Sequence, residues 1–172
     1  SLACPVLYRR NPIETIDAHV WGLRNILEHY KKRPIDSLLY FSTGEIYGDP
    51  ESAFIPTGEE YSGNLPPIGP RACYYESKRF GETLCYVYAT TYGIPIRIVR
   101  PFNTYGPNRG RNDARASAVF QNSVLENKDI VMRSDGSATK TFCYISDAIA
   151  GYLKALVYRK FDYFNIGSGS RE

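Results

Sequence analysis

Two short apolar runs decide most of what this chain can fold into. Ser37-Leu38-Leu39-Tyr40-Phe41-Ser42 follows a proline and a polar break, and Ile96-Arg97-Ile98-Val99-Arg100 is halted by Pro101. Runs of this length, bounded by turn residues, read as strands buried on both faces. Tyr74 to Tyr92 lies between them with a helical pattern, closed by Gly93 and then Pro95. A strand, a helix and a strand in that order argue for a parallel pair with the helix packed on the sheet.

The alternation continues along the chain. Asn11-Pro12 reads as an N-cap followed by a first-turn proline. Ile13, Ile16, Val20, Leu23, Leu27 and Tyr30 then recur at three- and four-residue steps, which predicts one amphipathic helix over 12–30. Helical periodicity returns from Ala114 to Asn127, and Asp129 to Met132 reads as a short strand. Asp147 is placed as the cap of a helix running to Tyr158, and Tyr163-Phe164-Asn165-Ile166 as a last strand. The fold class is therefore α/β, a parallel sheet flanked by helices. Between Gly48 and Ala72 the prolines at 50, 56, 66, 67 and 70 and the glycines at 58, 63 and 69 exclude regular structure across most of the stretch. So long a loop inside a compact domain usually has a functional reason.

Composition narrows the function classes. With 172 residues, 43% hydrophobic and 23% charged, the chain can bury a sizeable core and is expected to be one soluble domain. The net charge of +3 is small and dispersed, apart from Lys31-Lys32-Arg33, which suits the basic last turn of a helix. This points away from a nucleic-acid partner. No apolar run approaches a membrane span and no signal peptide is apparent, so a cytoplasmic location without a membrane partner is expected. Cys4, Cys73, Cys85 and Cys143 are irregularly spaced, as suits reduced structural thiols, and no metal site is expected. His19 and His29 read as surface or packing residues.

Ligands of open α/β sheets bind beyond the C-terminal ends of the strands. That rule selects Thr43-Gly44-Glu45, Asn103-Thr104-Tyr105 and Gly167-Ser168-Gly169. Near the first of these, RACYYESKRF holds two overlapping pairs, Tyr74 four residues before Lys78 and Tyr75 four before Arg79. This spacing puts a phenol and a cation on one helix face, where the cation can favour the phenolate and make the tyrosine a usable base. On chemistry alone both pairs stay open, and packing at a helix start would also account for either tyrosine.

FSTGEIYGDP, the loop with GNLPPIG, CYYESKR, RIVRPFNTYGP and DGSATKTFCYISD resemble, in order and spacing, the extended short-chain dehydrogenase/reductase family of nucleotide-sugar enzymes, most of all its UDP-glucuronate decarboxylases. The resemblance covers nearly the whole chain. It implies the central and C-terminal part of a Rossmann-like sheet with part of a small substrate-binding lobe, NAD as cofactor and a nucleotide sugar as substrate. It also implies that Tyr74 and Lys78 are the active pair, touching both substrate and cofactor. Thr43 takes the place of the hydroxyl that bonds the reacting sugar, with strand-end packing as its plainer alternative. Glu45 takes the place of the acid that decarboxylases and 4,6-dehydratases carry, against a solvated loop glutamate. Pro101 falls beside the nicotinamide pocket, where it equally ends a strand. Asn103, Arg115 and Lys140 fall at positions that contact the nucleotide sugar in relatives, although the first two could cap a turn or lie in water.

Three departures qualify the match. Gly44 stands where similar decarboxylases carry serine and TDP-glucose dehydratases aspartate. Lys140 replaces an arginine, keeping the charge and losing the two-pronged geometry. The glycine-rich phosphate-binding turn and the acidic residue for the adenosine ribose are missing, and Ser1-Leu2-Ala3-Cys4-Pro5 resembles the family's segment after the fourth strand. The expectation is a partial NAD-dependent epimerase/dehydratase domain over 1–172, from the middle of a longer enzyme.

The activity this implies is conversion of a nucleotide sugar through a 4-keto intermediate, with UDP-glucuronate decarboxylation placed first. A 4,6-dehydratase acting on TDP-glucose or GDP-mannose comes next, and then a 4-epimerase, which Glu45 weakens. From another class, the chain would be a non-catalytic fragment that dimerises. Helices 12–30 and 74–92 match those that build a four-helix homodimer bundle in relatives.

Overall fold

The structure, a computed structural model, describes residues 2–107, 115–132, 135, 136 and 139–169. The elements in chain order are α1 (Pro5–Arg10), α2 (Pro12–His19), α3 (Trp21–Lys31), β1 (Leu38–Phe41), α4 (Ala72–Tyr92), β2 (Ile96–Pro101), β3 (Asn103–Tyr105), α5 (Ala116–Leu125), β4 (Phe142–Tyr144), α6 (Ile145–Val157) and β5 (Tyr163–Ile166). Short 3-10 turns occupy Gly44–Tyr47 and Ser52–Phe54. Ala114, where the third helical pattern begins, and Ser137 and Ala138 of the DGSATK motif lie outside the described residues.

β1, β2 and β5 form a parallel sheet in the order β1-β2-β5, with Leu38 opposite Ile96 and Ile98 opposite Tyr163. Successive side chains of a strand point to opposite faces. Tyr40, Ile96 and Ile98 therefore meet Leu23 and Leu27 of α3 and Cys85 and Tyr88 of α4, whereas Val99 and Ile166 meet Ala148 and Ala155 of α6. Leu27, Ile96 and Val99 are wholly buried, and each such side chain stabilises the fold by about 1.5–3 kcal/mol. α4 ends as its sequence predicts: Gly93 takes a left-handed conformation with φ of 69° and returns its N–H to Ala89 O.

The loop from Gly48 to Ala72 is tied down along its length. Arg100 lies on the same strand face as Ile98 and grips Glu82 of α4 through two contacts of 2.9 and 2.6 Å, while its third nitrogen donates to Tyr47 Oη and Glu59 O. Asn165 donates its side-chain amide to Thr57 O and its backbone N–H to Glu59 Oε1. Tyr75 Oη donates to Pro66 O at 2.6 Å.

Several expectations need correction. The helix over 12–30 is two helices that turn at Val20, with backbone bonds continuing on either side from Val20 N to Ile16 O and from Arg24 N to Val20 O. Asn11 occupies the N-cap of α2 but its side chain turns back to Leu7 O, which closes α1. Asp147 lies in the first turn of α6, and Tyr144 takes the cap position. Asp129 to Met132 is not a strand: Ile130, Val131 and Met132 are exposed. The extra strands are β3 and β4, which pair with each other in parallel. Among the described residues no helix is long and apolar enough to cross a membrane.

Candidate active site

The site forms where β1 ends against the start of α4. Thr43, in extended backbone, accepts the Glu45 N–H on its hydroxyl at 3.2 Å and so starts the 3-10 turn. The hydroxyl keeps its own proton to donate and lies beside the Tyr74 phenol. Tyr74 is 8% exposed. Burial raises its pKa above the ordinary value and the charge of Glu45 adds to the rise, while the Thr43 hydroxyl and, less strongly, the charge of Arg71 act in the other direction.

Lys78 is buried one helical turn later. Its ammonium donates to Phe41 O at 2.6 Å and lies 5.3 Å from the centre of the Tyr40 ring. Burial pulls its pKa from 10.5 down to about 8. Ser42, at the end of β1, is buried, and its hydroxyl has no partner among the described residues.

Three further residues complete the surroundings, none of them selected from the sequence as a site residue. Tyr8 of α1 stacks on Tyr74 with ring centres 4.8 Å apart and planes 15° from parallel. Arg71, the N-cap residue of α4, donates its Nε to Tyr8 Oη at 3.1 Å and forms an ion pair with Glu45 through a terminal nitrogen. His19 packs edge-on against Tyr74 and bonds Ser77 Oγ through Nδ1 at 2.7 Å. Burial first, and then the charge of Lys78, lower the His19 pKa from 6.5 to about 4, so the ring is neutral at ordinary pH. The packing reading of His19 holds; His29 is exposed.

The two candidate pairs now separate. Tyr74 meets Thr43, with the Glu45–Arg71 pair beside it. Tyr75 spends its hydroxyl on the loop carbonyl of Pro66, and Arg79 lines a polar cavity of about 470 Å³ elsewhere, with Glu59, Glu82 and Arg100. The remaining candidates lie further along the chain. Pro101 ends β2 and pairs with Ile166. Asn103 is exposed on β3 and donates to Thr141 O across the β3–β4 pair, next to the exposed Lys140. Arg115 is exposed at the N-cap of α5. Gly44 has a structural cause: a Cβ there would meet the Phe102 ring at 3.2 Å.

Residues 2–167 match the NAD dependent epimerase/dehydratase family. The chain belongs to that family. Among curated relatives it is 40% identical to UDP-glucuronic acid decarboxylase 3 of Arabidopsis thaliana over 170 residues, covering 97% of this chain and 49% of that protein. The chain thus spans about half the length of that relative. Among solved structures, the UDP-glucuronic acid 4-epimerase of Bacillus cereus, in complex with UDP-glucuronic acid and NAD, is 30% identical, with a TM-score of 0.74 over 90% of this chain and 47% of that one. The UDP-glucose 4-epimerase of Thermotoga maritima, with UDP-glucose, reaches a TM-score of 0.87 at 26% identity, over 99% of this chain and 54% of that one. The expected Rossmann-like parallel sheet is thereby borne out for this epimerase/dehydratase chain.

Proposed function

We propose that this epimerase/dehydratase chain performs the proton transfers of a nucleotide-sugar enzyme that works through a 4-keto sugar, with UDP-glucuronate as substrate and loss of carbon dioxide as the outcome. The observation that carries this reading is the convergence of the Thr43 hydroxyl, the Tyr74 phenol and the Glu45 carboxylate at the end of β1. The high identity to a UDP-glucuronic acid decarboxylase supports the choice of sugar.

The residues fit the nicotinamide ribose of NAD. Tyr74 and Lys78 would hold it, the unpartnered Ser42 hydroxyl offers a further polar group beside them, and Pro101 ends the neighbouring strand. When bound, NAD supplies the hydride acceptor for C4 and returns the hydride at the end of the cycle.

Tyr74, as phenolate, takes the proton of the C4 hydroxyl, with the Thr43 hydroxyl favouring that charge state and Lys78 holding the ribose beside it. Oxidation at C4 turns a glucuronate into a β-keto acid. The C5–C6 bond then breaks, its electron pair passes into the enolate on the C4 oxygen, and carbon dioxide leaves. One proton from water reaches C5 through the Glu45 carboxyl, and Tyr74 returns its proton to the C4 oxygen. Asn103, Arg115 and Lys140 would meet the nucleotide and its phosphates.

A homodimer suits the outer face of α2, α3 and α4, which leaves Ile13, Trp21, Phe80 and Val87 exposed to solvent. Incubating the protein at its full length with NAD and UDP-glucuronate tests the reaction. A product lighter by carbon dioxide is expected, and an unchanged mass would overturn the choice of substrate.

A further inference from the structure

We propose that Arg71 is the positioning residue for Glu45, holding its carboxylate beside Tyr74 for the proton transfer at C5. The inference rests on the proposed role of Glu45 in decarboxylation. Its basis is the forked contact of one guanidinium. A terminal nitrogen pairs with the Glu45 carboxylate, and Nε donates to the hydroxyl of Tyr8, which is 1% exposed and stacked on Tyr74. Arg71 is thus anchored on a rigid buried group and carries that rigidity to Glu45, which otherwise stands exposed on a short turn.

The exposure of the pair decides what the contact is for. The Arg71 and Glu45 side chains are 40% and 43% exposed, and a pair this open contributes little to stability. Its consequence is therefore geometric. A glutamate has three rotatable bonds, and a displacement of about 1 Å at a reacting group can cost about a hundredfold in rate. A lysine at 71 would keep the charge but could not reach Tyr8 and Glu45 together, because the two contacts use different nitrogens of a planar fork.

The test is a double-mutant cycle in the protein at its full length, with NAD and UDP-glucuronate. Arg71→Met should lower kcat by about a hundredfold with KM within about threefold and little change in melting temperature. Because Arg71 acts through Glu45, the double variant Arg71→Met/Glu45→Gln should fall no more than about threefold below the worse single variant. Arg71→Lys should recover little of the loss, and it carries the same cycle if the Met variant fails to fold. Losses that multiply in the double variant, or an Arg71→Met enzyme with wild-type kcat, overturn the assignment. A wild-type enzyme that releases no carbon dioxide overturns only the decarboxylase reading. The cycle is then read on TDP-glucose as loss of water, with the same criteria deciding Arg71.

Discussion

Replacing Lys78 with methionine should stabilise the protein at neutral pH while removing its proposed chemistry. Lys78 is 7% exposed, and burial lowers its pKa from 10.5 to about 8. At about 1.36 kcal/mol per pH unit, keeping this side chain protonated in the folded state costs about 3 kcal/mol near pH 7 relative to the unfolded chain. Part of the relief is lost again, because Phe41 O gives up its 2.6 Å donor and an unsatisfied, partly buried carbonyl costs about 1–2 kcal/mol. The expected net gain is about 1–2 kcal/mol. Its pH dependence follows from the sign of the shift. Between the folded value of about 8 and the unfolded value of 10.5 the unfolded chain binds more protons, so wild-type stability from this group rises with pH across that window and is absent below it. Methionine has no such window, so its advantage should shrink as pH rises. Urea unfolding of both proteins near pH 7 and near pH 10 measures this, and taking the difference between them cancels the other tyrosine and cysteine titrations. A methionine variant less stable than wild type near neutral pH, or an advantage unchanged near pH 10, would refute the reasoning.

Four other perturbations test other parts of the structure. Gly81→Ala should cost about 2–3 kcal/mol, because a Cβ there would lie 2.1 Å from Tyr40 Oη; an unchanged thermal midpoint would contradict the packing of α4 on β1. Arg100→Met should cost about 3–5 kcal/mol by stranding the carboxylate of Glu82, and adding Glu82→Leu should restore most of it; additive losses in chemical unfolding would show that the pair is not coupled. Because the His19 pKa falls from 6.5 to about 4 on folding, the unfolded chain binds more protons between those values, and stability should decline as pH falls through that window. His19→Asn should flatten the decline, and an acid-unfolding curve unaltered by the substitution would show that the decline does not originate in His19. Trp21→Glu with Phe80→Glu should turn the proposed dimer into a monomer in sedimentation; a wild-type protein that already sediments as a monomer removes the proposal.

Which elements could be read from sequence depended on whether their causes are local. α4 carries its own stop signal in Gly93 and Pro95, and β1, β2 and β5 are apolar runs bounded by turn residues. β3 and β4 span three residues each and exist because Asn103 finds Phe142 and Tyr105 finds Tyr144 across the intervening helix. No local pattern encodes that pairing. Asp129 to Met132 has the better strand composition, yet it pairs with no strand among the described residues and its side chains stand in solvent. α1 did leave a trace: Pro5 at its first position and Arg9 and Arg10 in its last turn are ordinary helix-boundary signals. A six-residue helix is simply too short to show periodicity.

The site divides along the same line. Thr43 with Glu45, and Tyr74 with Lys78, are neighbours in sequence, so turn and helix geometry place each pair without help. Which tyrosine works cannot follow from that geometry, because Tyr75 and Arg79 share the same spacing. What separates them is what stands opposite each hydroxyl: a loop carbonyl for Tyr75 and the Thr43 hydroxyl for Tyr74. The residue facing Tyr74 across the site is harder still to read, because Arg71 is 26 positions from Glu45 and 63 from Tyr8. A chain of 15 tyrosines offers no signal that one near the N-terminus covers another at position 74. The spacing of Tyr74 and Lys78 therefore places a phenol and an ammonium one turn apart on α4, but the groups facing the phenol, Tyr8, Thr43 and the Glu45–Arg71 pair, are brought to it by the fold and not by the motif.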